Sequence, residues 1–471
     1  MSSKTFVRFW AGLRTIGGTV ITIEYEDAKI VFDFGASYNP VANVLDGQVK
    51  LRQDALLHDY IRLGILPPVD GLYKEGQLRE MPFIRPYDPV RDEKTAVFIS
   101  HLHLDHMLGI GCILDPIPIY MTKPTRSLYR RLYELGEGVE GTYRRYHAML
   151  LYQPIRVGAI EVTALPMDHD VAGACAFHIR TPDGTFFYTG DFRFHGLHPE
   201  RTSESVAKAK ALGTDVLIIE GTMLRLPDHD GAEVDDPDEL VASLEQPPGY
   251  PTEAETPQRI AEQLEAAQGL ALFNVTTRNV ERLLAMIVGA ERAGRIAVLE
   301  PESAYLLLTL TDCSRFLVYE SSETRRQSDS GTDPRWLRKV KRHAEFISAK
   351  TINSQPSRYM LQNSYAHLLE LFDLNLDEGI YIHSDGVPLG AFDPTYAKLL
   401  AFLERLNLQF VPIRCSGHAP AEHLKHVVDT IDPQTLVPLH SFHPELLKPK
   451  SGVQLLPEYN YTYRLEKGRL L

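Results

Sequence analysis

Ser100-His101-Leu102-His103-Leu104-Asp105-His106 follows directly on the apolar run Ala96-Val97-Phe98-Ile99. The run reads as a buried strand, so the histidine cluster sits on the loop leaving it. Imidazole nitrogen and carboxylate oxygen are the donors zinc takes when one coordination position must stay open to water. His101 and His103 alternate with Leu102 and Leu104, so the two rings can point one way while the leucines anchor the turn. Asp105 and His106 then aim elsewhere and can serve a second ion. Two donor pairs with different aims on one short loop point to a dinuclear site, and such sites typically do hydrolysis. A surface turn or a set of structural histidines would leave these polar groups unsatisfied beside a core.

One loop cannot complete two ions. His169 follows the strand reaching Leu165, Asp191 follows Phe186-Phe187-Tyr188-Thr189-Gly190, and His440 follows Leu436-Val437-Pro438-Leu439. Each stands just after an apolar run, so all can converge on one edge of a sheet assembly. The expected ligands are His101, His103 and His169 for one metal, and Asp105, His106 and His440 for the other. Asp191 is expected to bridge them, because a carboxylate is the side chain suited to linking two hard cations, with a bridging hydroxide as nucleophile.

The 471 residues are enough for two or more domains, and 44% hydrophobic with 24% charged content is ordinary for a globular chain. No apolar stretch is long enough to span a bilayer, and the N-terminus lacks a signal-peptide core; a cytoplasmic protein is expected. Cys112, Cys175, Cys313 and Cys415 are far apart and form no C-x-x-C pair, so free thiols are expected. The net charge of −13 argues against nonspecific coating of nucleic acid. It leaves room for a nuclease whose cations hold phosphate inside a cleft.

Along the chain, residues 18–25 and 29–35 read as a hairpin, and 119–121, 155–163, 174–180, 185–189 and 215–220 as strands. A helix is expected over 124–135. Residues 36–94 lack periodicity and either cover the site as a lid or wrap the surface. Residues 228–256 are acidic and Pro-rich and read as an exposed insertion. Strand 270–275, helix 278–293 and strand 296–299 then read as a parallel α/β unit, continued by strand 379–383, helix 394–406 and strand 410–414.

At these residues the chain resembles the metallo-β-lactamase superfamily. His101, His103, Asp105 and His106 match its H-x-H-x-D-H loop, and His169 and Asp191 its next ligand motifs. Asp33 matches an acid whose role in the family is structural. Within the superfamily the chain is similar to the β-CASP nucleases, and most to ribonuclease J. Thr189-Gly190-Asp191-Phe192-Arg193-Phe194 resembles the TGDF(K/R)F segment. Glu220 resembles the motif A acid, Ser416-Gly417-His418-Ala419 motif B, and His440 motif C. The family commonly has Gly-Glu after the motif C histidine, where Ser441-Phe442 stands here. The roughly thirty residues after His440 are too few for a separate domain, so the family's C-terminal domain is expected to be missing.

The resemblance implies an αββα sandwich with an inserted α/β domain. Residues 1–223 and 417–471 would form the metallo-β-lactamase domain and 224–416 the β-CASP insertion. It implies a ribonuclease whose catalytic residues are Asp105, Glu220 and His418, with two divalent ions, zinc or alternatively manganese. Glu220 would hold His418, which would contact or protonate the scissile phosphate. Single-stranded RNA is the expected partner, with single-stranded DNA and a homodimer as further expectations and no membrane. The rivals are a DNA nuclease of the same family, a small-molecule hydrolase of the fold, and a dead scaffold. Read alone, Glu220 is also a helix-capping or surface acid and His418 a structural histidine. Arg335–His343, with Trp336, could grip RNA, or form an amphipathic helix with a solvated basic face. Arg144-Arg145 between Tyr143 and Tyr146 is a weaker candidate of the same kind.

Overall fold

A computed structural model describes residues 4–37, 45, 49–225, 241–247 and 249–471. It contains three sheets. The first has eight strands, ordered Arg469–Leu470, Thr462–Glu466, Thr5–Ala11, Val20–Tyr25, Ala28–Phe32, Lys94–Phe98, Ile119–Thr122, His147–Met149. The second has seven: Val453–Gln454, Thr435–Leu439, Val216–Glu220, Gly184–Tyr188, Cys175–Thr181, Ile160–Pro166, Pro154–Val157. They pack face to face through aromatic side chains. The Phe32 ring centroid lies 5.8 Å from Phe98, 5.2 Å from Phe177 and 5.9 Å from Tyr188. Burying such rings is worth about 1.5–3 kcal/mol each.

Helices cover the outer faces, completing the expected αββα layering. Pro199–Leu212 and Ala421–Ile431 lie on the second sheet, where Val206, Ala209, Leu424 and Val428 join Leu217, Ile219 and Leu436 in one cluster. On the first sheet the cover is largely the segment whose role was open. Leu56, Tyr60, Leu66, Val69, Leu72 and Tyr73 are buried in one cluster with Val31, Val97 and Ile99. The described part of residues 36–94 therefore wraps the sheet and forms core; no lid is seen in it. It lacks periodicity because irregular backbone, not one amphipathic helix, carries the apolar groups.

Between Glu220 and Thr435 the chain leaves the second sheet and returns to pair, in parallel, with the strand it left. In between it builds a third sheet of seven strands: Phe346–Ile347, Leu317–Tyr319, Ile296–Leu299, Tyr359–Gln362, Ala271–Asn274, Ile380–His383, Gln409–Pro412. Every pairing in it is parallel. The helix Val280–Arg292 joins two of its strands as the sequence implies, but Tyr359–Gln362 lies between those strands.

Two expectations need correction. Residues 155–163 form two antiparallel strands, broken at Gly158, whose φ of 55° makes a tight turn. About half of the acidic insertion lies outside the described residues, and its end is not wholly exposed: Glu253 is buried between two guanidiniums. All four cysteines are free, and Cys112, Cys175 and Cys415 are buried. Among the described residues no helix is long and apolar enough to cross a membrane.

Candidate metal centre

Strands Ile160–Pro166, Gly184–Tyr188, Val216–Glu220 and Thr435–Leu439 run the same way in the second sheet. Their carboxyl ends therefore share one edge, and His169, Asp191, Glu220 and His440 arrive there together. The first sheet delivers His101–His106 on the loop after Lys94–Phe98. The loop approaches closely enough that a Cβ on Gly35 would stand 1.6 Å from the Asp105 carbonyl oxygen. Glycine is required there.

All seven expected ligands meet. Donor atoms of His101, His103, His169 and Asp191 lie within 4.8 Å of one another, and so do those of Asp105, His106, Asp191 and His440. Asp191 is common to both groups. Its Oδ2 is 3.6 Å from His101 Nε2, 3.2 Å from His106 Nε2 and 3.6 Å from His440 Nε2.

Hydrogen bonds orient the rings. The Asp33 carboxylate accepts from Ser100 N at 2.7 Å, Ser100 Oγ at 2.8 Å, Tyr188 Oη at 2.5 Å and His106 Nδ1 at 2.8 Å. Ser100 Oγ spends its proton on Asp33, so at 3.0 Å it accepts from His101 Nδ1. His169 Nδ1 donates to the Gly417 carbonyl at 2.7 Å. Thr222 Oγ1 donates to Glu220 at 2.7 Å and so accepts from His440 Nδ1 at 2.8 Å. In four rings the Nδ1 proton is thus committed outward, and Nε2 keeps its lone pair for the centre.

That arrangement fits a cation. His101 Nε2, His106 Nε2 and Asp191 Oδ2 are buried with no hydrogen-bond partner. Burial pushes His101 well below the usual imidazole value and His169 down to about 3, which keeps both rings in the neutral, ligating form.

Beside this cluster stands a second pair. Glu220 Oε1 accepts from Phe192 N at 2.8 Å, and Oε2 faces His418 Nδ1 at 2.9 Å. His418 Nδ1 is also 3.8 Å from Asp191 Oδ2. Burial works against a charged His418 ring, but Glu220 and then Asp191 carry it up to about 10.

Residues not foreseen from sequence also belong here. Asp170 Oδ1 lies 3.4 Å from His103 Nε2 and 3.3 Å from His169 Nε2, buried and unpartnered. Its only sequence signal was its place beside His169. Arg193 and His195 both hold the Ser416 carbonyl, at 3.2 and 2.8 Å, and so fix the loop bearing His418.

Neither basic candidate joins the site. In helix Arg335–His343, Leu337 and Val340 are buried and Trp336 stands 6.1 Å from Tyr305, so its basic residues form the outer face of an amphipathic helix. Arg144 is buried, donating to the carbonyls of Ile113 and Leu114 at 3.2 and 2.9 Å and to those of Asp115 and Ile117.

Comparison with known proteins agrees with this geometry. Residues 69–240, which carry all the expected ligands except His440, match the family described as beta-lactamase superfamily domain. Ribonuclease J2 of Bacillus subtilis is 22% identical over 74% of this chain and 59% of its own length. Ribonuclease J of Pyrococcus abyssi is 21% identical over 91% of this chain and 88% of its own. The chain thus spans less than two thirds of the first relative and most of the second. A crystal structure of a protein of unknown function from Enterococcus faecalis V583 superposes with a TM-score of 0.77, at 31% identity over 98% of this chain and 100% of that one. The chain carries a beta-lactamase superfamily domain and is similar, over most of its length, to ribonuclease J proteins.

Proposed function

We propose that the chain is a metal-dependent ribonuclease, with residues 224–416 as its β-CASP domain. The observation that carries this reading is the set of imidazoles whose Nε2 lone pairs face Asp191 while their Nδ1 protons are tied outward. His101, His103 and His169 would hold one divalent ion, Asp105, His106 and His440 the other, and Asp191 both. Zinc suits these donors, and manganese is accepted by the same set. The ion pair, when bound, supplies the Lewis acidity that readies water for attack and neutralises charge gathering on the phosphate.

The remaining work falls to side chains of this chain. His418, kept protonated by Glu220, gives the proton that the leaving ribose oxygen needs as the phosphorus–oxygen bond breaks. Glu220 touches no substrate; it fixes the ring and stabilises its charge. The Ser416–Ala419 loop is clamped by Arg193, by His195 and by the Ala419 N to Phe192 O bond of 2.7 Å, so the ring needs little reorganisation.

RNA is favoured over DNA by the ribonuclease J relatives. The test uses metal-loaded protein with end-labelled RNA and DNA of matched sequence, each with a 5′-monophosphate or a 5′-hydroxyl. Cleavage of RNA alone, lost in Asp191→Ala with fewer than two ions per chain, is the expected result. Equal cleavage of DNA would replace ribonuclease with general nuclease, and full turnover in Asp191→Ala would end the proposal.

A further inference from the structure

A cavity of about 280 Å3 opens at the carboxyl edge of the third sheet, apart from the metal centre. Glu300 follows strand Ile296–Leu299, and Asn363 follows Tyr359–Gln362; both line it. These strands are neighbours, but the chain leaves them in opposite directions. From Ile296–Leu299 it moves out to Leu317–Tyr319, and from Tyr359–Gln362 it crosses past Ala271–Asn274 to Ile380–His383. The cavity thus lies at a topological switch point, the place where open parallel sheets receive ligands.

Its chemistry is mainly acidic, with His367 as its one cationic side chain. The lining holds four glutamates, Glu300, Glu302, Glu323 and Glu370, and no lysine or arginine. Glu300 is met by His367 Nδ1 at 2.9 Å, and Glu370 accepts from Tyr319 Oη at 3.3 Å and Ser322 N at 3.1 Å. Glu302 Oε2 and Asn363 Oδ1 are buried with no partner. Asn363 is only 2% exposed, and its Nδ2 is spent on the His367 carbonyl at 2.8 Å, so what remains is an acceptor. Burial, with Glu300 nearby, pushes the Glu302 carboxyl up to about 7, although the cationic His367 ring works against the rise.

We propose that this cavity binds a small organic cation bearing amine or guanidinium groups. Such a ligand gives donors to Glu302 and Asn363, and the Trp336 ring in the lining offers a face to its charge. A bare metal ion suits the cavity less. Among the described residues, no three of these groups bring ligand atoms within 4.8 Å of one another.

Calorimetric titration with agmatine and spermidine, with 1,5-pentanediol as the neutral control and Mg2+ and Mn2+ as separate titrants, tests the proposal. Saturable binding of an amine is expected, weakened at least about tenfold by Glu302→Gln and unchanged in Asp191→Ala. Glu323→Lys changes an exposed rim residue and should weaken the amine without touching the core, so it reads the site even if Glu302→Gln folds poorly. No saturable amine binding, amine binding indifferent to both substitutions, or equal binding of the diol would overturn the proposal. So would a Glu302-dependent metal site that takes no amine.

Discussion

Glu220 and His418 are 198 positions apart in the chain, and their side chains meet at 2.9 Å. The other Glu220 oxygen is held by the amide of Phe192, the residue after Asp191. One buried carboxylate thus ties the His418 ring to the strand end that carries Asp191. Replacing Glu220 by Gln keeps the shape and removes the charge. kcat on RNA should fall about 10²- to 10⁴-fold with little change in KM. Metal content should stay at the wild-type value. A kcat within twofold of wild type would show that Glu220 does not act through His418.

Thr222 passes one proton chain between the two clusters, accepting from His440 and donating to Glu220. Thr222→Val preserves volume and removes the hydroxyl. His440 then has no partner fixing its Nδ1 proton, and its Nε2 is no longer reserved for a cation. Metal affinity, measured by competition with a chromophoric chelator, should weaken about 10- to 100-fold. Unchanged affinity would mean that the His440 tautomer is set elsewhere.

The site was more legible than the fold around it, for physical reasons. His101 to His106 lie on one loop, and His169, Asp191 and His440 each follow a strand, so a local pattern carried them. Asp170 gave no pattern of its own, because a carboxylate after a histidine is ordinary until the fold turns it toward His103. The place of Tyr359–Gln362 between two strands that a helix joins rests on pairing between distant segments, which no local periodicity records. The wrap over residues 54–84 buries Leu66, Val69 and Tyr73 on irregular backbone, where neither a 3.6-residue nor a two-residue repeat arises.

Glu253 sits between two buried guanidiniums, 3.0 Å from Arg193 Nη1 and 2.7 Å from Arg282 Nη2. Arg282 comes from a helix of the third sheet's layer, and it also holds the Cys415 carbonyl at 3.2 Å. Glu253→Ala removes the carboxylate the two guanidiniums share and leaves Arg193 with Asp168 at 3.4 Å and Arg282 with Asp385 at 3.0 Å. Breaking such a buried pair costs about 3–5 kcal/mol, so the denaturant midpoint should drop accordingly. RNA cleavage at saturating metal should fall as well, since both arginines support the His418 loop. A midpoint equal to wild type would show that the network is not needed for stability.

His367 and Glu300 make stability depend on pH. The hydrogen bond from His367 to Glu300 outweighs the opposing effect of burial and raises the imidazole from 6.5 to about 9. The folded state therefore binds a proton more tightly than the unfolded chain does. The resulting stabilisation is complete below pH 6.5 and is lost as pH rises through 9. His367 remains partly exposed, so the effect is reduced by solvent screening. Scanning calorimetry from pH 6 to pH 10 should show the wild type losing Tm faster than His367→Gln, with the two curves converging at the alkaline end. Parallel curves across that window would mean that the ring and Glu300 are not coupled in solution.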